Sequence, residues 1–222
     1  YENHTIVTSI LRVSENPKVA RKSDPFYLDG EELELLEVCI NDVALKSQQY
    51  RKTAEGLTIL EVPDSFTFKA KIKIRPTLNT KLEGLYNSKT GLFTQCEAEG
   101  FRRITFFPDR PDVMSLFTTT IIADEKTYPT LLSNGNLMEK GKSLEGRHWT
   151  KWHDPFPKPS YLFALVAGNL ECLEDSFLTV SGKQVALKIY TEHGYKEQCY
   201  HAMESLKKAM RWDEERFGLE YD

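Results

Sequence analysis

Residues 91–113 read G-L-F-T-Q-C-E-A-E-G-F-R-R-I-T-F-F-P-D-R-P-D-V, and this stretch differs in pattern from the rest of the chain. Elsewhere apolar and polar residues mostly alternate, as they do in a sheet with one solvated face. Here an amide, two carboxylates and two arginines stand close together between apolar flanks. Such groups cost free energy beside apolar surface unless they are paired or used. The stretch is therefore the first place to look for a functional site.

The composition of the whole chain indicates an ordinary globular protein. Of its 222 residues 40% are hydrophobic and 28% are charged, and the net charge is -4 at pH 7. A weakly acidic chain has no electrostatic footprint for nucleic acid. No apolar run approaches the roughly 18 residues that cross a membrane. We therefore expect a protein that binds neither nucleic acid nor membrane.

Period-two patterns predict a β-rich first part. The clearest covers residues 66–75, where apolar residues alternate with one Thr, three Lys and one Arg. We interpret the lysines as the solvated face of an antiparallel strand rather than as an anion-binding patch. In residues 33–40 the alternation slips between Leu35 and Leu36, which predicts a β-bulge. Further strands are expected at 5–13, 57–62, 118–123, 147–153 and, as a buried apolar run, 161–168.

The connections carry turn and cap signals. Residues 16–25 form a polar connection, and Ser133-Asn134-Gly135-Asn136 predicts a hairpin turn. Residues 111–117 predict a short helix with Asp109 as its cap. Residues 154–159, D-P-F-P-K-P, predict a stiff extended segment because proline restricts both itself and the residue before it.

The pattern changes near residue 169. Two strands are expected at 171–180 and 185–191, around the turn at 181–183. A long helix follows, with apolar residues on one face and Gly218 as its C-cap. That face contains Cys199, Met203, Leu206, Met210 and Phe217. We therefore predict an all-β domain over residues 1–169 and the start of an α/β domain over 170–222.

Metal and nucleophile motifs do not reveal an activity. The five histidines include no H-E-x-x-H pair, and no G-x-S-x-G or phosphate loop is present. Glu97 and Glu99 would share a face on a strand and form an acid–base pair. The simpler interpretation is that both are rim carboxylates paired with Arg102 and Arg103. Four widely spaced cysteines indicate reduced thiols and a reducing compartment: Cys39, Cys96, Cys172 and Cys199.

Several long motifs in order resemble one family. They are Q-C-E-A-E-G-F-R at 95–102, D-R-P-D-V at 109–113, L-S-N-G-N at 132–136, D-P-F-P-K-P at 154–159, Y-L-F-A-L-V-A-G at 161–168 and W-D-E-E-R-F-G-L-E-Y-D at 212–222. Together they are similar to aminopeptidase N, a zinc-dependent gluzincin aminopeptidase family, in its bacterial cytosolic branch. The resemblance covers nearly all of the chain and is weakest before residue 80.

The resemblance implies a fold and an incomplete enzyme. It implies a mainly β, saddle-like antiparallel sheet or sandwich domain over residues 1–169. The first strands and helix of a thermolysin-like α/β catalytic domain would follow over 170–222. The family's G-A-M-E-N and H-E-x-x-H motifs do not occur in these residues. We therefore expect a possibly incomplete N-terminus and a catalytic domain truncated at its last residue, so that this portion alone is inactive and binds no zinc while the full-length protein does.

The resemblance also implies roles for two residues. Glu97 would bind the free α-ammonium group of a peptide, and Gln95 would line the pocket for the first side chain. No catalytic residue and no metal ligand are expected in these residues. A non-proline cis peptide bond is expected at Glu97–Ala98. The implied partners are peptides with a free N-terminus, and the implied state is a cytoplasmic monomer.

Three other interpretations remain open at this stage. The first is a relative of the leukotriene hydrolases, which carry Gln where this chain has Glu97. The second is a non-catalytic interaction protein on the same scaffold. The third is a free-standing β-sandwich binding module. An H-E-x-x-H motif beyond residue 222 would separate an enzyme from the last two.

Overall fold

A computed structural model describes residues 1, 3–16 and 25–221, and these residues are mostly β. They form two compact units, Tyr1–Ala167 and Gly168–Asp222. Their sheets are built from antiparallel strand pairs such as β1 with β7, so the predicted mainly β, antiparallel class is confirmed. The assignment of 1–169 and 170–222 to two functional domains stays a prediction. The polar connection predicted at 16–25 lies mostly outside the described residues.

The chain before the second unit consists of short strands joined by turns and single-turn 3-10 helices. The 3-10 helices are Ser47–Gln49, Pro76–Leu78, Phe101–Arg103 and Ser160–Leu162. The strands in chain order are β1 (Thr5–Ser14), β2 (Phe26–Asp29), β3 (Glu34–Ile40), β4 (Val43–Ala44), β5 (Tyr50–Lys52), β6 (Gly56–Ile59), β7 (Ser65–Ile74), β8 (Gly84–Ser88), β9 (Gly91–Gln95), β10 (Ser115–Asp124), β11 (Thr130–Ser133), β12 (Asn136–Lys142), β13 (Arg147–Lys158) and β14 (Leu165–Gly168).

Strand β7 lies at the centre of the sheet ordered β1-β7-β3-β4. Its apolar residues face the main core, because alternate residues of a strand point to one side. Its lysines are exposed or half-buried, which confirms the solvated face. The buried residues of β7 are Phe66, Phe68, Ala70, Ile72 and Ile74.

The bulge predicted in β3 is confirmed. Leu35 pairs with Ile72 and Glu37 pairs with Lys71, so Leu36 is the extra residue between two consecutive partners. Its side chain is 46% exposed. The slip in the sequence pattern therefore reflects a real insertion in the ladder, which lets the apolar residues on either side remain on the core face.

Three further sheets complete the first unit, with orders β2-β6-β5, β10-β13-β12 and β11-β14-β9-β8. Strand β9, which leads into the polar residues 96–103, lies between β14 and β8. A short bridge between Asp29 and Phe107 joins the end of β2 to the residues after that stretch. Residues 96–103 are thus anchored by strand pairing on both sides, through β9 before them and the Phe107 bridge after them.

The helix predicted over residues 111–117 is wrong. Residues 111–112 form a turn and β10 begins at Ser115. The β-branched run from Thr118 to Ile122 favours a strand, and the pairing of this strand with β13 extends back to Ser115. This pairing outweighs the weak helix signal. Asp109 caps no helix and is buried.

The predicted hairpin at residues 133–136 is also wrong. Strands β11 and β12 flank the turn but belong to different sheets. Asn134 donates to the Leu162 carbonyl at 3.0 Å and accepts from the Ala164 N–H at 2.6 Å. Gly135 has a φ of +82°, and an added Cβ would lie 2.2 Å from the His153 carbonyl oxygen. The Asn-Gly turn therefore carries the chain from one sheet to the next.

Two predicted segments have different bounds in the structure. Of the apolar run at 161–168, only Leu165–Gly168 is a strand, because Ser160–Leu162 forms a 3-10 turn. The extended segment at 154–159 is confirmed as extended through Lys158, and it continues β13 rather than following it.

The second unit has the predicted two strands and helix, but only part of the predicted apolar helix face is covered, because Leu206 and Phe217 are 39% and 59% exposed within this unit. Strands β15 (Glu171–Leu178) and β16 (Gln184–Thr191) pair antiparallel, a 3-10 turn covers Lys196–Gln198, and helix α1 covers Cys199–Phe217. Gly218 caps α1 with a φ of +66°, and its N–H donates to the Glu214 carbonyl at 3.0 Å. The small core contains Leu173, Phe177, Val185, Leu187 and Met203, with Cys199 and Met210 against it. Within the described residues, no helix has the length and apolar character to cross a membrane.

Candidate functional site

Glu97 lies in a tight turn, residues 96–100, between β9 and the 3-10 helix Phe101–Arg103. The turn is closed by the Gly100 N–H, which donates to the Cys96 carbonyl at 2.8 Å. The Glu97–Ala98 peptide bond is cis, as expected. Glu97 and Glu99 are exposed and lie in this turn rather than on a strand. The carboxylates of Glu97 and Glu99 are thus exposed on a turn that a backbone hydrogen bond closes.

Gln95 ends β9 next to this turn and pairs with Gly84 of β8. Its side-chain amide nitrogen donates to the Glu97 carbonyl oxygen at 3.1 Å. A carbonyl only accepts hydrogen bonds, so the contacting atom is the NH₂ group and the amide oxygen is the end left for another partner. The structure therefore brings together the two residues that the resemblance singled out.

Gly100 is required by close packing rather than by its backbone angles. Its φ is -82°, which any residue adopts. A Cβ at this position would lie 2.3 Å from the Gln95 carbonyl oxygen and 2.9 Å from the Gly84 nitrogen. The turn is therefore pressed directly against the backbones of β8 and β9.

Arg102 holds the far end of the turn. Its main-chain N–H and its Nε donate to Asp109 Oδ2 at 3.1 and 3.0 Å. Its guanidinium also lies 3.3 Å from Glu99 and 3.8 Å from Asp29. Burial by itself lowers the pKa of Arg102, but the hydrogen bond with Asp109 and the neighbouring carboxylate charges raise the pKa above its ordinary value. The guanidinium is thus committed to acids of the first unit.

Arg103 is committed to a different set of acids. It donates to Glu31 and Glu83 at 2.5 and 2.9 Å and lies 3.2 Å from Glu32. The predicted pairing of both turn carboxylates with the two arginines is therefore only half right. Glu99 pairs with Arg102, whereas within the described part of the chain the Glu97 carboxylate has neither a hydrogen-bond nor an ion-pair partner.

Cys96, at the base of the turn, is a packing residue. Its side chain is buried in the main core. Burial, and secondarily the negative charge of Asp109, raises the pKa of the thiol to about 12. A thiol held neutral is a poor nucleophile, so Cys96 supports the turn without chemistry of its own. All four cysteines are free, as predicted.

Sequence reasoning missed the residues that support the turn. The local sequence predicts Asp109 as a helix cap and Asp29 as part of a turn with Gly30, and it indicates no role for Ser160. Asp29 accepts from the Asp109 N–H at 2.9 Å, and Ser160 donates to Asp109 Oδ1 at 2.5 Å. These partners are 80 and 51 residues from Asp109 in sequence, and no local pattern indicates such contacts.

The sequence profile of the peptidase M1 N-terminal domain matches residues 3–162 of the chain. The chain belongs to this family. A curated relative, Aminopeptidase N of Escherichia coli strain K12, is 51% identical to this M1 chain over 215 residues, which are 97% of the chain and 24% of the relative. The M1 chain therefore spans about a quarter of the length of that relative.

Solved structures agree with the M1 assignment. Aminopeptidase A of Legionella pneumophila, in complex with aspartic acid, matches 97% of this M1 chain with 40% identity and a TM-score of 0.94, over 25% of its own length. An M1 zinc metallopeptidase of Deinococcus radiodurans covers 86% of the chain and 44% of its own, with 18% identity and a TM-score of 0.68. The second likeness shows the fold alone.

No metal centre is formed by residues 1, 3–16 and 25–221. No group of three or more His, Cys, Asp or Glu side chains in these ranges is placed to hold a metal ion. His148 and His153 both lie on β13 at an odd spacing, so they face opposite sides of the sheet. The described residues of this M1 chain therefore do not fit zinc.

Proposed function

We propose that this chain is the N-terminal part of a zinc-dependent aminopeptidase that releases N-terminal residues from peptides. In this proposal Glu97 binds the free α-ammonium group of the substrate. The observation that carries it is the Glu97 carboxylate itself. It is exposed and without a partner in the described residues, whereas its neighbour Glu99 and both nearby arginines are paired. An exposed, negatively charged carboxylate without a partner on a hydrogen-bonded turn is suited to bind a cation.

The physical requirement of an aminopeptidase explains the choice of a carboxylate. The N-terminus of a peptide carries a positive charge, and an internal amide does not. A carboxylate that loses its water on binding is left unsatisfied unless a cation takes its place, so internal peptide bonds are rejected. A charge-assisted hydrogen bond contributes about 1.5–3 kcal/mol, or roughly one to two powers of ten in affinity.

Gln95 is proposed to line the pocket for the first side chain of the substrate. Its amide nitrogen is bound to the Glu97 carbonyl, which limits the rotation of the side chain. The amide oxygen is then left available for another partner, next to the residue that carries the Glu97 carboxylate. A group at the end of β9 and a group on the adjacent turn can bind the first side chain and the terminal amine of one substrate together.

The comparisons support the reaction class. The relative that is 51% identical is named an aminopeptidase, and the structure with a TM-score of 0.94 is an aminopeptidase. Zinc is named for the Deinococcus radiodurans relative. In the proposal, zinc would supply Lewis-acid chemistry on the scissile carbonyl from a site formed by other residues of the full-length protein. The residues of this chain supply substrate recognition.

Three further parts of the proposal follow the family. Residues 170–222 are proposed to begin the catalytic domain, and the protein is proposed to be a cytoplasmic monomer. Determining the complete sequence tests the catalytic assignment against a non-catalytic relative on the same scaffold. An H-E-x-x-H motif in it would support the enzyme, and its absence would favour the interaction protein.

The test of Glu97 uses the full-length protein. The Glu97→Gln variant keeps the size of the side chain and removes its charge. We expect kcat/KM for an aminoacyl p-nitroanilide to fall by about ten- to a hundredfold while the zinc content stays unchanged. Glu99→Gln removes the same charge two residues away and serves as the matched variant. Its loss is expected to be much smaller because that carboxylate is paired with Arg102.

Two results would contradict the proposed role. One is a Glu97→Gln variant with the efficiency of the unaltered enzyme. The other is an equal loss in the two variants, which would mean that only the total charge of the turn matters.

A further inference from the structure

Asp109 is the most deeply buried acid around the turn, with a side chain that is 1% exposed. A buried carboxylate is stable only when its oxygens are satisfied. Asp109 meets that condition fully. Oδ2 accepts from the main-chain N–H and the Nε of Arg102, and Oδ1 accepts from the Ser160 hydroxyl. These hydrogen bonds indicate that Asp109 fixes the position of its partners, a role that its local sequence does not predict.

What Asp109 holds is the segment directly after the turn. Its carboxylate accepts from the main-chain N–H and the Nε of Arg102, and its carbonyl oxygen accepts from Arg102 Nη2 at 3.1 Å. The Arg102 guanidinium in turn lies 3.3 Å from Glu99 inside the turn. The turn, which packs against β8 and β9 through Gly100, is therefore also linked to Asp109, through Arg102.

Asp109 is itself held from the opposite side. Its N–H donates to Asp29 Oδ2 at 2.9 Å, and Asp29 exchanges two main-chain hydrogen bonds with Phe107 at 2.9 and 3.1 Å. Ser160, its other partner, is 1% exposed. Three separate parts of the first unit thus converge on Asp109, which gives the turn a rigid base.

We propose that Asp109 is a positioning residue for substrate recognition. By holding Arg102 it sets the place of the turn, so that the Glu97 carboxylate meets the substrate ammonium group at one position. This inference rests on the proposed function of Glu97. Asp109 touches no substrate, because its side chain is 1% exposed and both of its oxygens are bound by Arg102 and Ser160.

Losing the hydrogen bonds between Asp109 and Arg102 is expected to reduce the catalytic rate strongly even if the turn moves only a little. A displacement of about 1 Å in a binding group can reduce the rate by roughly a hundredfold. The Asp109→Asn variant removes the negative charge that pairs with the Arg102 guanidinium. Its NH₂ group then faces either the two Arg102 donors or the Ser160 hydroxyl, which must rotate from donating to accepting. We expect kcat/KM for a free aminoacyl substrate to fall by about tenfold or more in the full-length enzyme.

A double-mutant cycle separates positioning from general structural damage. Asp109→Asn is measured in the unaltered enzyme and in the Glu97→Gln background. If Asp109 acts through Glu97, its tenfold effect shrinks to less than about twofold once the charge at position 97 is gone. If Asp109→Asn costs the same factor in both backgrounds, the positioning role is overturned. If Glu97→Gln alone has no effect, the proposed function fails and the positioning role fails with it.

Two more variants complete the design. Asp112→Asn is the matched control, because Asp112 is 63% exposed and pairs with Arg110. It is expected to leave kcat/KM unchanged in both backgrounds, and an effect as large as that of Asp109→Asn would overturn the proposal. If Asp109→Asn does not fold, Ser160→Ala removes one hydrogen bond from Asp109 and is carried through the same cycle with the same criterion.

Discussion

Replacing Gly100 with alanine tests the close packing on which the candidate site depends. The added methyl group would lie 2.3 Å from the Gln95 carbonyl oxygen, 2.9 Å from the Gly84 nitrogen and 3.0 Å from the Cys96 Cα. All three are backbone atoms, so none moves away by a side-chain rotation. The turn, or one of the two strands beneath it, must shift as a whole.

The sign of the change in the free energy of unfolding shows whether the added methyl group clashes with the backbone or only restricts the unfolded chain. Gly100 has a φ of -82°, so without a clash alanine would stabilise the chain by about 0.4–1 kcal/mol. Overpacking typically costs about 1–3 kcal/mol, and contacts with three backbone atoms favour the upper end of that range. We therefore expect the free energy of unfolding to fall by about 3 kcal/mol, which lowers the melting temperature of a domain of this size by roughly 6–12 °C.

Urea unfolding of the chain measures this change. Trp149 and Trp152 lie on β13 of the first unit, and the exposed Trp212 is replaced by Phe so that fluorescence reports on that unit. Gly146→Ala is the control: its φ is +71° with no atom within 4 Å, so its cost of about 1 kcal/mol reflects backbone angle alone. Unchanged or increased stability in Gly100→Ala would refute the packing argument.

Two further predictions concern buried side chains. Because the pKa of Cys96 is raised to about 12 in the folded chain, the stability it contributes is present below the unfolded thiol pKa of about 8.5 and is lost as pH rises toward the folded value. Urea unfolding measures the fall in the free energy of unfolding between about pH 8 and pH 10. This fall should be roughly 2 kcal/mol smaller in Cys96→Ala than in the parent chain, and equal falls would contradict the prediction. Met203, which is 2% exposed, fills the core of the second unit. Met203→Ala should reduce the protection of α1 amides from hydrogen exchange by about 2–5 kcal/mol, and unchanged exchange would count against that core.

Regular elements were predictable because their signals are local. The alternation in β7, the phase slip at Leu36 and the C-cap at Gly218 all appear in the structure where the pattern indicates. In each case the energy that selects the structure depends on neighbouring residues, whose apolar faces must reach a core or whose backbone must adopt a positive φ.

Failures occurred where a local signal was overridden by a distant partner. Asp109 resembles a helix cap, but its neighbours in space are Asp29 and Ser160. Asn134 and Gly135 resemble a hairpin turn, but Asn134 binds the main chain of residues 162 and 164. A polar side chain near a turn satisfies either arrangement, so its sequence context does not decide between them.

The candidate site combines both kinds of information. The nearness of Gln95 and Glu97 follows from their spacing of two residues, and their proposed roles follow from motif resemblance. That the Glu97 carboxylate is left without a partner while both arginines are occupied required the folded arrangement, since those arginines are neutralised by acids from other strands and loops. Pairing of charges is set by distances in space, which a linear pattern does not contain, whereas alternation and capping are set by the chain's own geometry over a few residues.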